Sequence, residues 1–234
     1  MKKLEPDIRE NIIAAANLWL RFVEAKLCSI EIDFSIKPWS ARGYGRSAVA
    51  VPMGDQKVNG KSLVEEGLAH ELRTGTDPNG TNPDVEIAFD PEYVKTLWWD
   101  PKPNSRTRPI PPGKLDAVSV IAHEFGHAIG FNGRIDPKTG AIPGGEVSPY
   151  DQNVTFDGTN FFFNGATAVK AYRKPIPLSK TQNNYHHFGE PGPKLDRKLN
   201  DDLMNGLFMQ YEKRYKISDL DLAILSDCGL PIRK

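Results

Sequence analysis

The spacing of apolar residues predicts an amphipathic helix close to the start of the chain. From Asp7 to Lys26 apolar side chains recur three and four positions apart, and Pro6 suits a first helical turn. Strict alternation of apolar and polar residues from Ser29 to Ile36 then predicts a half-buried strand. The same alternation from Val85 to Phe89 predicts another strand, which Asp90-Pro91 would end.

Two less regular stretches complete the first half of the sequence. Ser47 to Val51 is a short candidate strand that follows Gly43-Tyr44-Gly45, which we interpret as a turn. The proline-rich segment from Trp98 to Gly113 is predicted to be an extended connection.

The longest helical pattern lies in the middle of the chain. Leu115 to Ile129 carries one apolar stripe, and Gly130 is placed to end this helix. The following stretch, Asn132 to Asn200, is loop-rich, with only Thr159 to Phe163 resembling a strand. A last helix is predicted from Asp219 to Asp227, where Ser218 and Asp221 have the spacing of a capping box.

This order of elements predicts an α+β fold. A mixed sheet and the central helix would form an upper lobe, about residues 1–131. An irregular lower lobe, about residues 132–234, would end in the last helix. A length of 234 residues fits one such domain with a cleft between the lobes.

Composition limits the possible partners and compartments. Lysine plus arginine equals aspartate plus glutamate, so nothing favours a nucleic acid or an anionic membrane. Met1-Lys2-Lys3 precedes acidic residues rather than an apolar run, which is untypical of a signal peptide. We expect a secreted or extracytoplasmic chain that has lost its signal peptide, with a cytoplasmic protein as the alternative. Cys28 and Cys228 could form a disulfide or remain free thiols.

One motif in the central helix carries recognisable chemistry. His123 and His127 lie four residues apart, so a helix directs both imidazoles to one side, where they can bind one metal ion. Glu124 follows the first histidine and can act as a general base on water activated by zinc. Catalytic zinc usually has three protein ligands. The candidates for the third are His187, its neighbour His186, and the carboxylates Glu146 and Asp151.

The run from His123 to Phe131 resembles the zinc helix of the metzincin peptidases, in which a glycine after the second histidine lets the chain turn. Compact metzincin motifs place a ligand three residues after that glycine, but this chain has Gly133 there. Leishmanolysin-like metzincins carry a long insertion before the third histidine. That resemblance implies His187 as the third ligand, followed by the aromatic Phe188.

Two further segments fit the same resemblance. Metzincins place a methionine in a tight turn beneath the metal, and Met204, next to Asn205-Gly206, is the matching candidate. The segment from Ile217 to Leu225 resembles the final helix of bacterial matrixin-like peptidases. The resemblance covers about Leu115 to Leu230.

The resemblance implies a zinc-dependent endopeptidase with a zincin-like fold. A protein or peptide substrate would pair with an edge strand such as Val85 to Phe89, and Glu124 would take a proton from the attacking water. The alternatives are a zinc hydrolase of another H-E-x-x-H class, with Glu146 or Asp151 as third ligand, and a non-catalytic zinc-binding protein. The oxygen-rich loop from Asp77 to Asp84 is a weaker candidate for a structural calcium ion. We leave Tyr185 and Tyr211 without an assigned role.

Overall fold

The computed structural model describes residues 6–38, 41–179, 185–189, 197–206 and 209–233, so the basic start Met1-Lys2-Lys3 lies outside the described residues. Helices and strands are mixed, which confirms the α+β class. The helices are α1 Pro6–Leu20, α2 Gly67–Thr74, α3 Pro91–Val94, α4 Ala117–Ile129, α5 Ala166–Tyr172, α6 Arg197–Asn200 and α7 Asp219–Asp227. The strands are β1 Ile32–Ile36, β2 Gly43–Ser47, β3 Ala50–Val58, β4 Lys61–Glu66, β5 Val85–Phe89, β6 Leu97–Trp98, β7 Leu115–Asp116, β8 Glu146–Val147, β9 Val154–Phe156, β10 Phe161–Phe163 and β11 Ile176–Pro177.

The strand next to the central helix is β2, in a sheet of order β1-β5-β2. β5 is parallel to β1 and antiparallel to β2, so it lies between them. The prediction that Val85 to Phe89 forms an edge strand is therefore wrong. Gly43 to Gly45, interpreted as a turn, instead belongs to the edge strand β2. Strand order depends on pairing between distant segments, which local alternation does not encode.

A second sheet has the order β3-β4-β8. Its first two strands form a long hairpin closed by Asn59 and Gly60, both with positive φ angles of 51° and 80°. Such an Asn-Gly pair is the usual signal of a two-residue hairpin turn. The predicted strand from Ser47 to Val51 is thus split between the end of β2 and the start of β3.

α1 packs across α4 to form the centre of the core. The indole Nε1 of Trp19, a fully buried residue, donates a 2.7 Å hydrogen bond to the carbonyl of Ala122. α1 ends at Leu20 rather than at Lys26, because Val23 pairs with Ile232 in a β-bridge near the end of the chain. α4 begins at Ala117, two residues after the predicted start, and its C-cap is Gly130.

The second half contains more regular structure than its composition suggests. β9, β10 and β11 form an antiparallel sheet, and α5 packs against α7. The predicted bounds of the last helix are confirmed, together with its capping box between Ser218 and Asp221. Cys28 and Cys228 are both free thiols. In the described part of the chain, no helix is long and apolar enough to cross a membrane.

Candidate metal centre

The N-terminus of α4 is held by a buried polar cluster. Asp116 caps the helix by accepting hydrogen bonds from the Ser119 N–H at 3.1 Å and the Ser119 hydroxyl at 2.6 Å. The Arg106 guanidinium bonds to Asp116 Oδ2 at 2.8 Å and to the Tyr215 carbonyl at 3.1 Å. These contacts fix the helix that carries His123 and His127 to the chain before it and to the C-terminal segment.

Three imidazoles converge on one point beside α4. The Nε2 atoms of His123 and His127 are 3.2 Å apart, and each lies within 3.0 Å of the Nε2 of His187. The structure therefore selects His187, rather than His186, as the histidine that joins the helical pair.

The hydrogen bonds of the helical pair indicate which nitrogen carries the proton. His123 Nδ1 donates to the Leu203 carbonyl and His127 Nδ1 to the Phe131 carbonyl, each at 2.8 Å. In a neutral imidazole the other nitrogen, Nε2, then presents a lone pair. Burial lowers the pKa of His123 to about 3 and that of His127 to about 4, which keeps both rings neutral.

Lone pairs that face each other at such distances repel unless a cation lies between them. A tetrahedral zinc ion with Zn–N bonds of about 2.05 Å would separate its ligand nitrogens by about 3.3 Å. The observed separations of 2.9–3.2 Å are close to that value. The donor set and its spacing therefore fit zinc, and the carbonyls on Nδ1 are the partners that commonly orient a metal-binding histidine.

Backbone hydrogen bonds on both sides position His187. Its carbonyl accepts a 2.8 Å bond from Ser179 N–H, and the next residue, Phe188, donates a 2.8 Å bond to the Met204 carbonyl. Phe188 also forms bridges with Leu178 and Asn205. The segment that brings the third histidine is thus tied both to the chain after β11 and to the methionine turn.

Met204 is fully buried, and its side chain packs against Gly126, which lies between His123 and His127 in α4. Asp202 Oδ1 accepts a bond from the Met204 N–H at 3.1 Å, which shapes the turn. Gly126 is the residue of α4 that contacts this turn. A Cβ added there would lie 2.5 Å from the Met204 sulfur and 3.1 Å from Trp19. Only glycine fits between the two histidines without displacing Met204 or Trp19.

Glu124 faces the edge strand. Its carboxylate accepts a hydrogen bond from the Gly45 N–H, while burial raises the pKa of this carboxyl to about 8. A Cβ at Gly45 would lie 2.4 Å from the Glu124 carbonyl, so β2 approaches α4 this closely only with glycine there. Tyr93 also lies near, since its pKa is raised first by burial and next by the Glu124 charge.

The alternative third ligands lie elsewhere. Among the described residues, only His123, His127 and His187 bring ligand atoms together at this point. Glu146 is on β8 and pairs with Arg134 at 3.1 Å. Asp151 accepts bonds from the Arg134 N–H at 2.6 Å and the Tyr185 hydroxyl at 2.7 Å.

The other histidines and the two tyrosines do not point a ligand atom at the three converging nitrogens in the described part of the chain. His186 packs against Tyr185 and hydrogen-bonds to the Gly133 backbone. His70, the remaining histidine of the sequence, bonds to Glu65 at 2.9 Å. The Tyr185 hydroxyl also accepts a bond from the Ile135 N–H. Tyr211 is exposed.

Gly133 explains why the compact ligand spacing is absent. A Cβ at this position would lie 2.0 Å from Asp151 Oδ1 and 2.3 Å from the Tyr185 hydroxyl. No ligand side chain could therefore occupy position 133 without displacing that buried pair.

Sequence reasoning missed the groups that orient the site. Gly45 N–H, Leu203 C=O and Phe131 C=O are backbone groups, so no residue type marks them in the sequence. Comparisons with known proteins add no relative: no family model matches the chain, and no curated protein or solved structure is significantly similar to it.

Proposed function

We propose that this protein is a zinc-dependent endopeptidase of the metzincin kind, with a zincin-like fold. The observation that carries the proposal is the convergence of three Nε2 atoms from His123, His127 and His187 within 3.2 Å of one another, with Glu124 beside them. The buried Met204, which packs against Gly126 of the histidine helix, is further support.

A zinc ion held there would supply a Lewis acid that polarises a carbonyl and lowers the pKa of water to about 7. Glu124 is the proton acceptor in this proposal. A cation held by the histidines would favour the charged form of this buried carboxyl. The carboxylate then takes a proton from the attacking water and later passes it to the leaving amine. The Gly45 N–H restrains the carboxylate at the edge of the sheet, where it can reach both groups.

A peptide substrate would bind to β2 rather than to β5. In the described part of the chain β2 has a strand partner on one side only. Ala48 N–H bonds to the Asp84 carbonyl, and the Arg42 carbonyl accepts from Asp90 N–H. Even-numbered residues of this segment thus bond towards β5. Backbone groups of an antiparallel strand alternate in direction, so those of Gly43, Gly45 and Ser47 point away from β5. An extended peptide could add there as a further strand on the backbone groups that Glu124 does not use, with a scissile bond near Glu124, which holds the Gly45 N–H.

A groove beyond the end of β2 could take a substrate side chain. It has a volume of about 220 Å³ and contains groups of both signs. Its lining includes Arg46, Glu66 and Arg134, together with the chain from Ala48 to Ala50. A pocket of this composition favours a polar side chain over a large apolar one.

The test is hydrolysis of quenched fluorescent peptides by the zinc-loaded protein and by Glu124→Gln. The glutamine can still accept the Gly45 hydrogen bond but cannot take a proton, so we expect a loss in kcat of about 10²- to 10⁴-fold with zinc content unchanged. Glu10→Gln, at an exposed glutamate on α1, is the matched control and should keep full activity. A zinc-loaded wild type no faster than Glu124→Gln would instead identify a non-catalytic zinc-binding protein.

A further inference from the structure

A second group of potential ligands lies on the upper sheet, apart from the histidines. It contains Glu71 of α2, Asp77 in the following loop and Asp84, the residue before β5. One carboxylate oxygen from each lies within 4.8 Å of the others. The oxygen-rich loop from Asp77 to Asp84 thus closes back on a helix residue that sequence reasoning did not include.

Two of these carboxylates are buried, and each has an oxygen that no N–H or basic group of the described residues reaches. Glu71 is 2% exposed and Asp84 is 1% exposed. Within the described part of the chain, no backbone amide or basic side chain donates to Glu71 Oε2 or Asp84 Oδ1, and the two carboxyls lie close enough to share a proton. Burying a charged oxygen without a partner is costly, so adjacent oxygens of this kind indicate a missing cation or a shared proton.

No basic side chain neutralises the group. Of the residues that the structure describes, no lysine, arginine or histidine places a nitrogen within 4.0 Å of these three carboxylates. Burial and then the charge of Asp84 raise the pKa of Glu71 to about 7, and Glu31 adds a further negative charge nearby. The carboxylates thus create a strongly negative potential at this point. A divalent cation would neutralise more of that charge than a single proton does.

The loop holds the carboxylates in place before any cation binds. Asp77 Oδ1 accepts bonds from Asn79 N–H at 2.8 Å and Gly80 N–H at 2.7 Å. Asp84 Oδ2 accepts a 2.7 Å bond from Glu31 N–H, which leaves its other oxygen for a ligand. Asp77 is exposed, so it gives a cation a route to the two buried carboxylates.

We propose that Glu71, Asp77 and Asp84 bind a calcium ion. All three donors are carboxylate oxygens, the ligands of a hard cation, and calcium accepts irregular arrangements that magnesium does not. The ion joins α2 to the start of β5, the strand that supports the edge strand β2. Its removal loosens the upper sheet rather than the histidine site.

The experiment is thermal unfolding during a calcium titration, with ionic strength held constant by NaCl, in the presence and absence of one equivalent of zinc. The wild type should show a midpoint that rises by about 5 °C or more once calcium exceeds its Kd a hundredfold. Magnesium at the same concentration should have a clearly smaller effect. Isothermal titration calorimetry should give about one calcium per chain.

Asp77→Asn tests the site without disturbing the fold. The asparagine keeps Oδ1 to accept the Asn79 and Gly80 amides but loses the charge, so most of the calcium response should disappear. Asp55→Asn removes an exposed carboxylate on β3 and should keep the full response. A wild-type midpoint that calcium does not move, or one that calcium moves equally in Asp77→Asn, would overturn the proposal, whatever the outcome of the peptidase assay.

Discussion

The contact between Gly126 and Met204 provides a quantitative test of how the histidine site is built. On an exposed helix, Gly→Ala stabilises by about 1 kcal/mol, because alanine has the higher helix propensity. At position 126 the new methyl group would lie 2.5 Å from the Met204 sulfur and 3.1 Å from Trp19. Met204 and Trp19 are both fully buried, so neither can move into solvent.

Overpacking of this kind costs about 1–3 kcal/mol, and a 2.5 Å contact belongs at the upper end of that range. After the gain in propensity, we expect Gly126→Ala to destabilise the protein by about 2 kcal/mol. For a chain of this length that corresponds to a fall of roughly 4–8 °C in the unfolding midpoint. Zinc affinity should fall as well, because Leu203, which accepts the His123 hydrogen bond, precedes Met204.

The assay is thermal or denaturant unfolding of Gly126→Ala, Met204→Ala and the double variant. Met204→Ala should cost about 2–5 kcal/mol alone, but it makes room for the methyl group. The double variant should then be more stable than the sum of the single effects by at least 1 kcal/mol. Gly145→Ala is the control, since nothing lies within 4 Å of its added Cβ. If Gly126→Ala stabilises the protein, or if the two single changes are strictly additive in the double variant, the proposed tight contact between positions 126 and 204 is refuted.

Three other predictions concern the pH dependence, the capping cluster and the metal. Burial raises the pKa of Glu66 to about 7, so the folded protein holds this proton more tightly than the unfolded chain. This carboxyl's contribution to the free energy of unfolding should therefore decline from about pH 4 to pH 7, and Glu66→Gln should flatten that slope in denaturant titrations. Arg106→Met should lower the free energy of unfolding by about 3 kcal/mol, because it removes the cation paired with the buried Asp116. An unchanged midpoint in denaturant unfolding would contradict this. Removing zinc with a chelator should lower the unfolding midpoint of the wild type but not that of His187→Gln, as differential scanning fluorimetry can measure.

The sequence predicted best those helices and strands whose ends are marked by capping or chain-breaking residues. Ser218 and Asp221 form the expected capping box, and the bounds of α7 follow from it. Val85 to Phe89 is a strand with the predicted bounds, because alternation and Asp90-Pro91 act within one segment. His123 and His127 share a helix face by spacing alone, so one motif predicted two of the three candidate ligands.

Features set by distant contacts were not predictable in the same way. The edge position belongs to β2 because β5 pairs with β1 on its other side, and no local pattern records that choice. Residue spacing left both His187 and His186 open, and only the resemblance to leishmanolysin-like metzincins implied His187. In the structure the backbone bonds to Ser179 and Met204 position it. Glu71 joins Asp77 and Asp84 only after α2 folds back on the loop.

The most direct test of the metal centre is zinc content after equilibration with excess zinc and desalting, measured for the wild type, His187→Gln, His186→Gln and Glu146→Gln. The two histidines are neighbours in sequence, but only His187 directs a nitrogen at His123 and His127. We expect about one zinc per chain in the wild type and in His186→Gln, and a large loss in His187→Gln. Full zinc retention in His187→Gln, or loss in Glu146→Gln instead, would contradict the three-histidine centre.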